Sequence, residues 1–121
     1  MAPILDKQNP ELSHAVRELQ IAARANDAAI WGAVAQRLGR ARHQTNPVNV
    51  GHLDRLVRDE EVVVVPGKLL ADGSISKPIT VAAFQCSPAA RSKIQAAGGT
   101  VLTIHELIKS KPDGAGVRIF G

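Results

Sequence analysis

From Pro10 to Arg24 the apolar residues fall at helical spacing: Leu12, Ala15, Val16, Leu19, Ala22 and Ala23, with polar side chains between them. That pattern predicts an amphipathic helix that turns one stripe inward. Asn9 is placed to cap it, and Pro10 takes the first helical position, where a missing N–H removes no bond. Asn26 and Asp27 break the pattern. Asp27 is placed to cap a second helix on which Ile30, Trp31, Val34 and Leu38 share a face, and Gly39 ends it. The two predict a helical hairpin. From Arg40 to Pro47 there is no apolar period, which predicts an exposed loop. A short helix from about Val50 to Arg58, capped by Asn49, is expected next.

The second half changes period. Val62 to Val65 is an unbroken β-branched run, as expected of a strand covered on both faces. Pro66-Gly67 and Asp72-Gly73 are turn signals that bracket Lys68 to Ala71, so the strand is expected to stop at Val65 and leave Lys68 on a loop. Ile79 to Phe84 predicts another buried strand, and Ser87 caps a helix with Pro88 at its first position and Gly98-Gly99 as its stop. Val101 and Leu102 form a short strand. Thr103 and Glu106 have the spacing of a capping box for a last helix, and Val117 to Phe120 closes the chain as a strand. Strands alternating with helices imply an α/β fold, with helices packed on a mixed or parallel sheet.

The 121 residues suffice for one domain with a real core, burying roughly two thirds of the surface the unfolded chain exposes. One cysteine, Cys86, cannot pair within the chain, and the amino terminus has no charged lead into an apolar signal core, which points to a reducing, cytoplasmic setting. No apolar run approaches the length of a bilayer span. The net charge is +4, and its distribution says more than its total. Gln36 to Arg58 carries Arg37, Arg40, Arg42, Arg55 and Arg58 against Asp54; Pro66 to Lys93 carries Lys68, Lys77, Arg91 and Lys93 against Asp72. Asp59, Glu60 and Glu61 form an acidic block between them. Two basic segments folded onto one face attract a polyanion. With Trp31, Phe84 and Phe120 as the whole aromatic complement, stacking on unpaired bases is disfavoured and recognition of phosphate and shape is left.

Tests for catalytic chemistry fail. Gly67-Lys68 invites comparison with a phosphate-binding loop, but Val62 stands where the first glycine belongs and Leu69 where a magnesium-binding hydroxyl is required. Gly114-Ala115-Gly116 starts a dinucleotide fingerprint that breaks at Ile119, with no room for a following helix. His14, His43, His52 and His105 are scattered and Cys86 stands alone, so no metal site is expected. Glu60 and Glu61, read as strand neighbours, would project to opposite faces and form a solvated edge rather than an acid-base pair. Cys86 reads as a small core residue. There remains the loop with Arg37, Arg40, Arg42, His43 and Gln44, whose guanidinium forks match phosphate oxygens. Charge alone leaves open whether it meets RNA or is a solvated basic face.

Several segments, taken in order, settle the choice toward RNA by resemblance: Ile30-Trp31-Gly32-Ala33-Val34-Ala35, Val48-Asn49-Val50-Gly51, Val62 to Leu70 with its Val-Pro-Gly-Lys core, Thr80-Val81-Ala82-Ala83, Lys93-Ile94 with Gly98-Gly99, and Val117-Arg118-Ile119. From about Leu12 to Phe120 the chain resembles the archaeal and eukaryotic large-subunit ribosomal protein eighteen family, a relative of bacterial large-subunit protein fifteen, and its short length is similar to the archaeal form. The resemblance implies an α/β fold, an irregular superhelix of strand-strand-helix turns with an amino-terminal helical hairpin. It also implies a structural, non-catalytic role in the cytoplasmic ribosome. The implied partners are large-subunit ribosomal RNA and neighbouring large-subunit proteins, with no cofactor, metal, membrane or small-molecule substrate. By analogy Arg37, Arg40, Arg42, His43, Gln44, Asn46, Asn49 and Lys68 line the RNA face, with Arg91 and Lys93 as secondary candidates. Residues 1–58 are expected to form a helical extension with the basic loop and 59–121 the α/β core, in one compact unit. The alternatives are a small α/β nucleotide-binding enzyme built around Gly67-Lys68 and a protein-protein adaptor using the acidic edge.

Overall fold

The computed structural model describes residues 10–39 and 47–120; the expected cap Asn9 and the site candidates Arg40, Arg42, His43, Gln44 and Asn46 lie outside the described residues. Two helices open the fold, α1 (Pro10–Ala25) and α2 (Ala29–Gly39). Of the predicted stripes Leu19, Ala22, Trp31, Val34 and Leu38 are buried and Ala15, Val16, Ala23 and Ile30 are half-buried against them, while Ala35 joins the buried set. Asp27 does not cap α2. Its backbone is left-handed, with φ of 50°, whereas an N-cap needs an extended backbone, so Asp27 makes the bend and the helix starts at Ala29.

There follow β1 (Val48–Asn49), α3 (Val50–Leu56), β2 (Val62–Leu70), β3 (Thr80–Cys86), α4 (Pro88–Ala96), β4 (Thr100–Leu102), α5 (Ile104–Ser110) and β5 (Val117–Ile119). Among the described residues the five strands make one sheet, and every pairing in it is parallel. Along one side β2 pairs with β3, which pairs with β4. The other side of β2 is shared: β5 takes Val62 to Val64 and β1 takes Leu69 and Leu70. The fold is thus α/β with an amino-terminal helical pair, as expected.

Pro66-Gly67 does not end the strand. Val65 is opposite Ala83 and Lys68 opposite Gln85, so β2 spends three residues where β3 spends two. Proline has no N–H to give the ladder, and the chain accommodates it as a bulge, after which pairing resumes. Lys68 therefore stands on the strand, exposed, rather than on a loop.

Alternation along β2 and β3 divides the apolar side chains between two cores. Val63, Val65, Leu69, Val81 and Ala83 pack with Leu53 of α3 and Ala90 and Ile94 of α4. Val64 and Ala82 face Leu19, Trp31, Leu38, Ile104 and Leu107 of α1, α2 and α5. The caps predicted for the last two helices are present: Ser87 Oγ accepts from the Ala90 N–H at 3.1 Å, and Thr103 and Glu106 exchange both bonds of a capping box. Gly99 lies so close to β3 that a Cβ would come within 2.4 Å of the Ile79 carbonyl oxygen.

Two contacts tie the carboxyl-terminal segment to the rest. Trp31 Nε1 donates to the Pro112 carbonyl at 2.7 Å, and Gly114, at φ of 69°, lies where a Cβ would meet the Ile30 side chain at 2.2 Å. Glu61 is not a strand neighbour of Glu60: Glu60 is left-handed, with φ of 63°, in a turn before β2. The Glu61 carboxylate accepts from the Arg58 N–H at 2.9 Å and from Arg118 Nη1 at 3.2 Å, while the Arg118 guanidinium lies 4.8 Å from the centre of the Phe120 ring. The Arg58 N–H foremost, and then Arg118, hold the Glu61 carboxyl below its ordinary range against partial desolvation.

Replacing Trp31→Phe removes the bond to Pro112 and part of a buried ring system; a loss of about 1–3 kcal/mol in urea denaturation is expected, and about 3–5 kcal/mol for Trp31→Ala. Because the folded Glu61 pKa is depressed, its stabilisation is present above the unfolded value and lost as pH falls through the folded one. The stability difference between the wild type and Glu61→Gln should therefore be present at pH 7 and shrink as pH falls below about 4. Urea midpoints at the two ends of that range measure it.

Candidate nucleic-acid interface

In an all-parallel sheet the carboxyl ends of the strands share one edge, and the loops and helix starts that follow them gather there. Here that edge receives Asn49 from β1, Lys68 from β2, Gln85 and Cys86 from β3, and the start of α4. Lys68 and Gln85 are opposite each other across the β2–β3 ladder, and both are exposed. With Cys86, Ser87 and Pro88 they line a shallow hollow. Arg91, exposed in the first turns of α4, is near enough to act electrostatically on Cys86. Burial pushes the Cys86 thiol up and Arg91 only partly offsets this, so it is no activated nucleophile; it packs on the core as a small residue.

Lys93 and Asn49 reach the same edge in a different manner. The Lys93 ammonium donates to the carbonyls of Ala71 at 2.6 Å and Gly73 at 2.5 Å. Asn49 occupies the cap position of α3, but its side chain makes no capping bond; Oδ1 accepts instead from the Asp72 N–H at 3.2 Å. Both side chains are thus engaged with the connection after β2. Arg37 is exposed in the last turn of α2, on the opposite layer from α4. The segment that continues from Gly39 returns to the described structure at Pro47, next to Val48, which is opposite Leu69 at the carboxyl edge.

The two basic segments do not converge entirely. Helix α3 carries the chain from the carboxyl edge back toward the start of β2, and Arg58 is bonded through its backbone to Glu61. Six residue rises along β2 put Lys68 roughly 20 Å from Val62, at whose end of the sheet Arg58 lies. There the acids Asp59, Glu60 and Glu61 and the Glu61–Arg118 pair share the surface with it. Lys77 is also occupied, donating to the carbonyls of Asp54 at 2.6 Å and Val57 at 2.8 Å. Only part of the basic surplus therefore faces the carboxyl edge. Gln85 was missed from sequence; a polar residue at the end of an apolar strand, just before a Ser-Pro helix start, is the signal that places it there.

A second hollow, mostly apolar, lies between α1 and α5, lined by His14, Ala15, Phe84, Ile104 and His105, with Glu18 in contact with His105 at its rim. Among the described residues no His, Cys, Asp and Glu cluster could hold a metal ion, and no helix is long and apolar enough to cross a membrane. What the carboxyl edge can do chemically is offer the ammonium of Lys68, the guanidinium of Arg91 and the amide of Gln85 to an anion.

The chain is 51% identical over 111 residues to the large ribosomal subunit protein eL18 of Pyrobaculum aerophilum, covering 92% of this chain and 91% of that one. It is 49% identical to the same-named protein of Methanopyrus kandleri, over 92% and 91% of the two chains, and 40% identical to that of Haloarcula marismortui, over 95% and 98%. Residues 5–120 match the family described as ribosomal protein 60S L18 and 50S L18e, and the chain belongs to that family.

Proposed function

We propose that this protein is a structural constituent of the large ribosomal subunit in the cytoplasm, where it binds and stabilises folded large-subunit ribosomal RNA and catalyses nothing. The observation that carries the reading is the match over nearly the whole chain to archaeal proteins named as large-subunit components. Contact runs through Arg37, Arg40, Arg42, His43, Gln44 and Asn46, and through Lys68 and Arg91 at the carboxyl edge of the sheet. In this reading the helical extension, residues 1–58, and the α/β core, residues 59–121, present that surface as one compact unit. Neighbouring large-subunit proteins adjoin it.

The mechanism is physical. Cations held at fixed spacing neutralise phosphates where RNA strands approach closely, counterions are released, and the RNA junction is held in shape. Scarcity of aromatic side chains agrees with recognition by backbone and shape. A nucleotide-binding enzyme is disfavoured because Gly67 and Lys68 lie within a paired strand, where the backbone cannot curl around a phosphate.

In gradients of a cell lysate the chain should sediment with the large subunit and be released by high salt; a chain that stays at the top of the gradient refutes the proposal. With transcribed large-subunit RNA, Arg40→Ala, Arg42→Ala, Lys68→Ala and Arg91→Ala should each weaken binding and lower the slope of log affinity against log salt by about one per lost phosphate contact. An unchanged slope removes that residue from the interface.

A further inference from the structure

Three elements that meet at the carboxyl edge are fastened to one another through the connection after β2. From α4, Lys93 donates to the carbonyls of Ala71 and Gly73. From β1, Asn49 accepts the Asp72 N–H, and from the start of α3 the Gly51 N–H donates to the Asp72 carbonyl at 3.0 Å. Gly51 and Gly73 pass backbone to backbone: a Cβ on Gly73 would lie 2.7 Å from the Gly51 Cα, and Gly73 has φ of 86°. Two of these elements, and the strand that leads into the connection, carry or receive the cations assigned above. Strand β1 receives the arginine-rich segment at Pro47, β2 carries Lys68 just before the connection, and α4 carries Arg91.

We propose that Lys93 is a positioning residue that does not touch RNA: together with Asn49 and the Gly51–Gly73 contact it clamps the Ala71–Ser74 connection and so sets the spacing of the cations that do. The inference rests on the RNA-binding reading above. An ammonium group has three N–H donors, and two of those of Lys93 are used on carbonyl oxygens. The third donor is left over, but the two carbonyl bonds fix the ammonium over the connection and do not leave it to follow a phosphate. Fixed spacing matters because structured RNA presents its phosphates in a set geometry, and cations ordered beforehand avoid the entropy cost of arranging them on binding.

The test compares the wild type with Lys93→Met, Lys93→Arg, Gly73→Ala and Lys68→Ala, binding transcribed large-subunit RNA across a salt series, with urea denaturation confirming that each variant is folded under the binding conditions. Lys93→Met removes the donors, and Gly73→Ala forces the connection off Gly51 without changing any charge. Both are expected to weaken binding by about tenfold at every salt concentration, the factor that corresponds to one lost charged hydrogen bond. Both leave the salt slope as in the wild type and speed amide hydrogen exchange at Gly51 and Asp72, while Lys93→Arg, which keeps donors, recovers most of the affinity. If Lys93→Met lowers the slope by about 0.7–0.9, as a lost phosphate contact does, Lys93 is on the RNA and the inference falls. It falls equally if Gly73→Ala binds like the wild type. Should Lys68→Ala also leave the slope unchanged, the fault lies in the assignment of the carboxyl edge to RNA, and the positioning role goes with it.

Discussion

The structure depends on one strand that must be apolar on both faces and paired along both sides. Strand β2 gives Val63 and Val65 to one core and Val64 to the other, shares a full side with β3, and divides its other side between β1 and β5. Each buried valine contributes on the order of 1.5–3 kcal/mol relative to exposure, and none can be exchanged for a polar residue without stranding it in a dry layer. The helices take their places from this strand. Helices α1, α2 and α5 cover one face, and α3 and α4 cover the other.

Features governed by local chemistry were legible in the sequence. The stripes of α1 and α2, the Ser87 and Thr103 caps and the Gly98-Gly99 stop each depend on residues within a turn or two of one another, and all are present in the fold. Where distant pairing competes with local preference, pairing prevailed. Pro66-Gly67 signals a turn, yet the chance to pair Lys68 and Leu69 with Gln85 and Cys86 carries the strand through it as a bulge. Asn49 is a good cap by type and was drawn to Asp72, 23 residues away. The partners of Glu61 and Lys93 were illegible for the same reason, since Arg118 and the Ala71 and Gly73 carbonyls come near only once the sheet has formed.

The two edges of the sheet differ in how their charged side chains are held. The edge at which β2 starts holds Asp59, Glu60 and Glu61, with Arg58 and Arg118 bound among them. The edge at which it ends holds Lys68 and Arg91, with the exposed Asp72 on the connection that follows β2. A net charge of +4 is modest for a nucleic-acid binder.

The fastening of Trp31 to Pro112, together with the seat of β5 against Val62 to Val64, bears on how each copy is made. Synthesis proceeds from the amino terminus, so among the described strands the one that closes the first half of β2 is made after the others. Until then an apolar edge stands open and the indole N–H of Trp31 lacks its carbonyl. While β5 is unmade, the first half of β2 has an unpaired apolar edge, the kind that invites pairing with another chain.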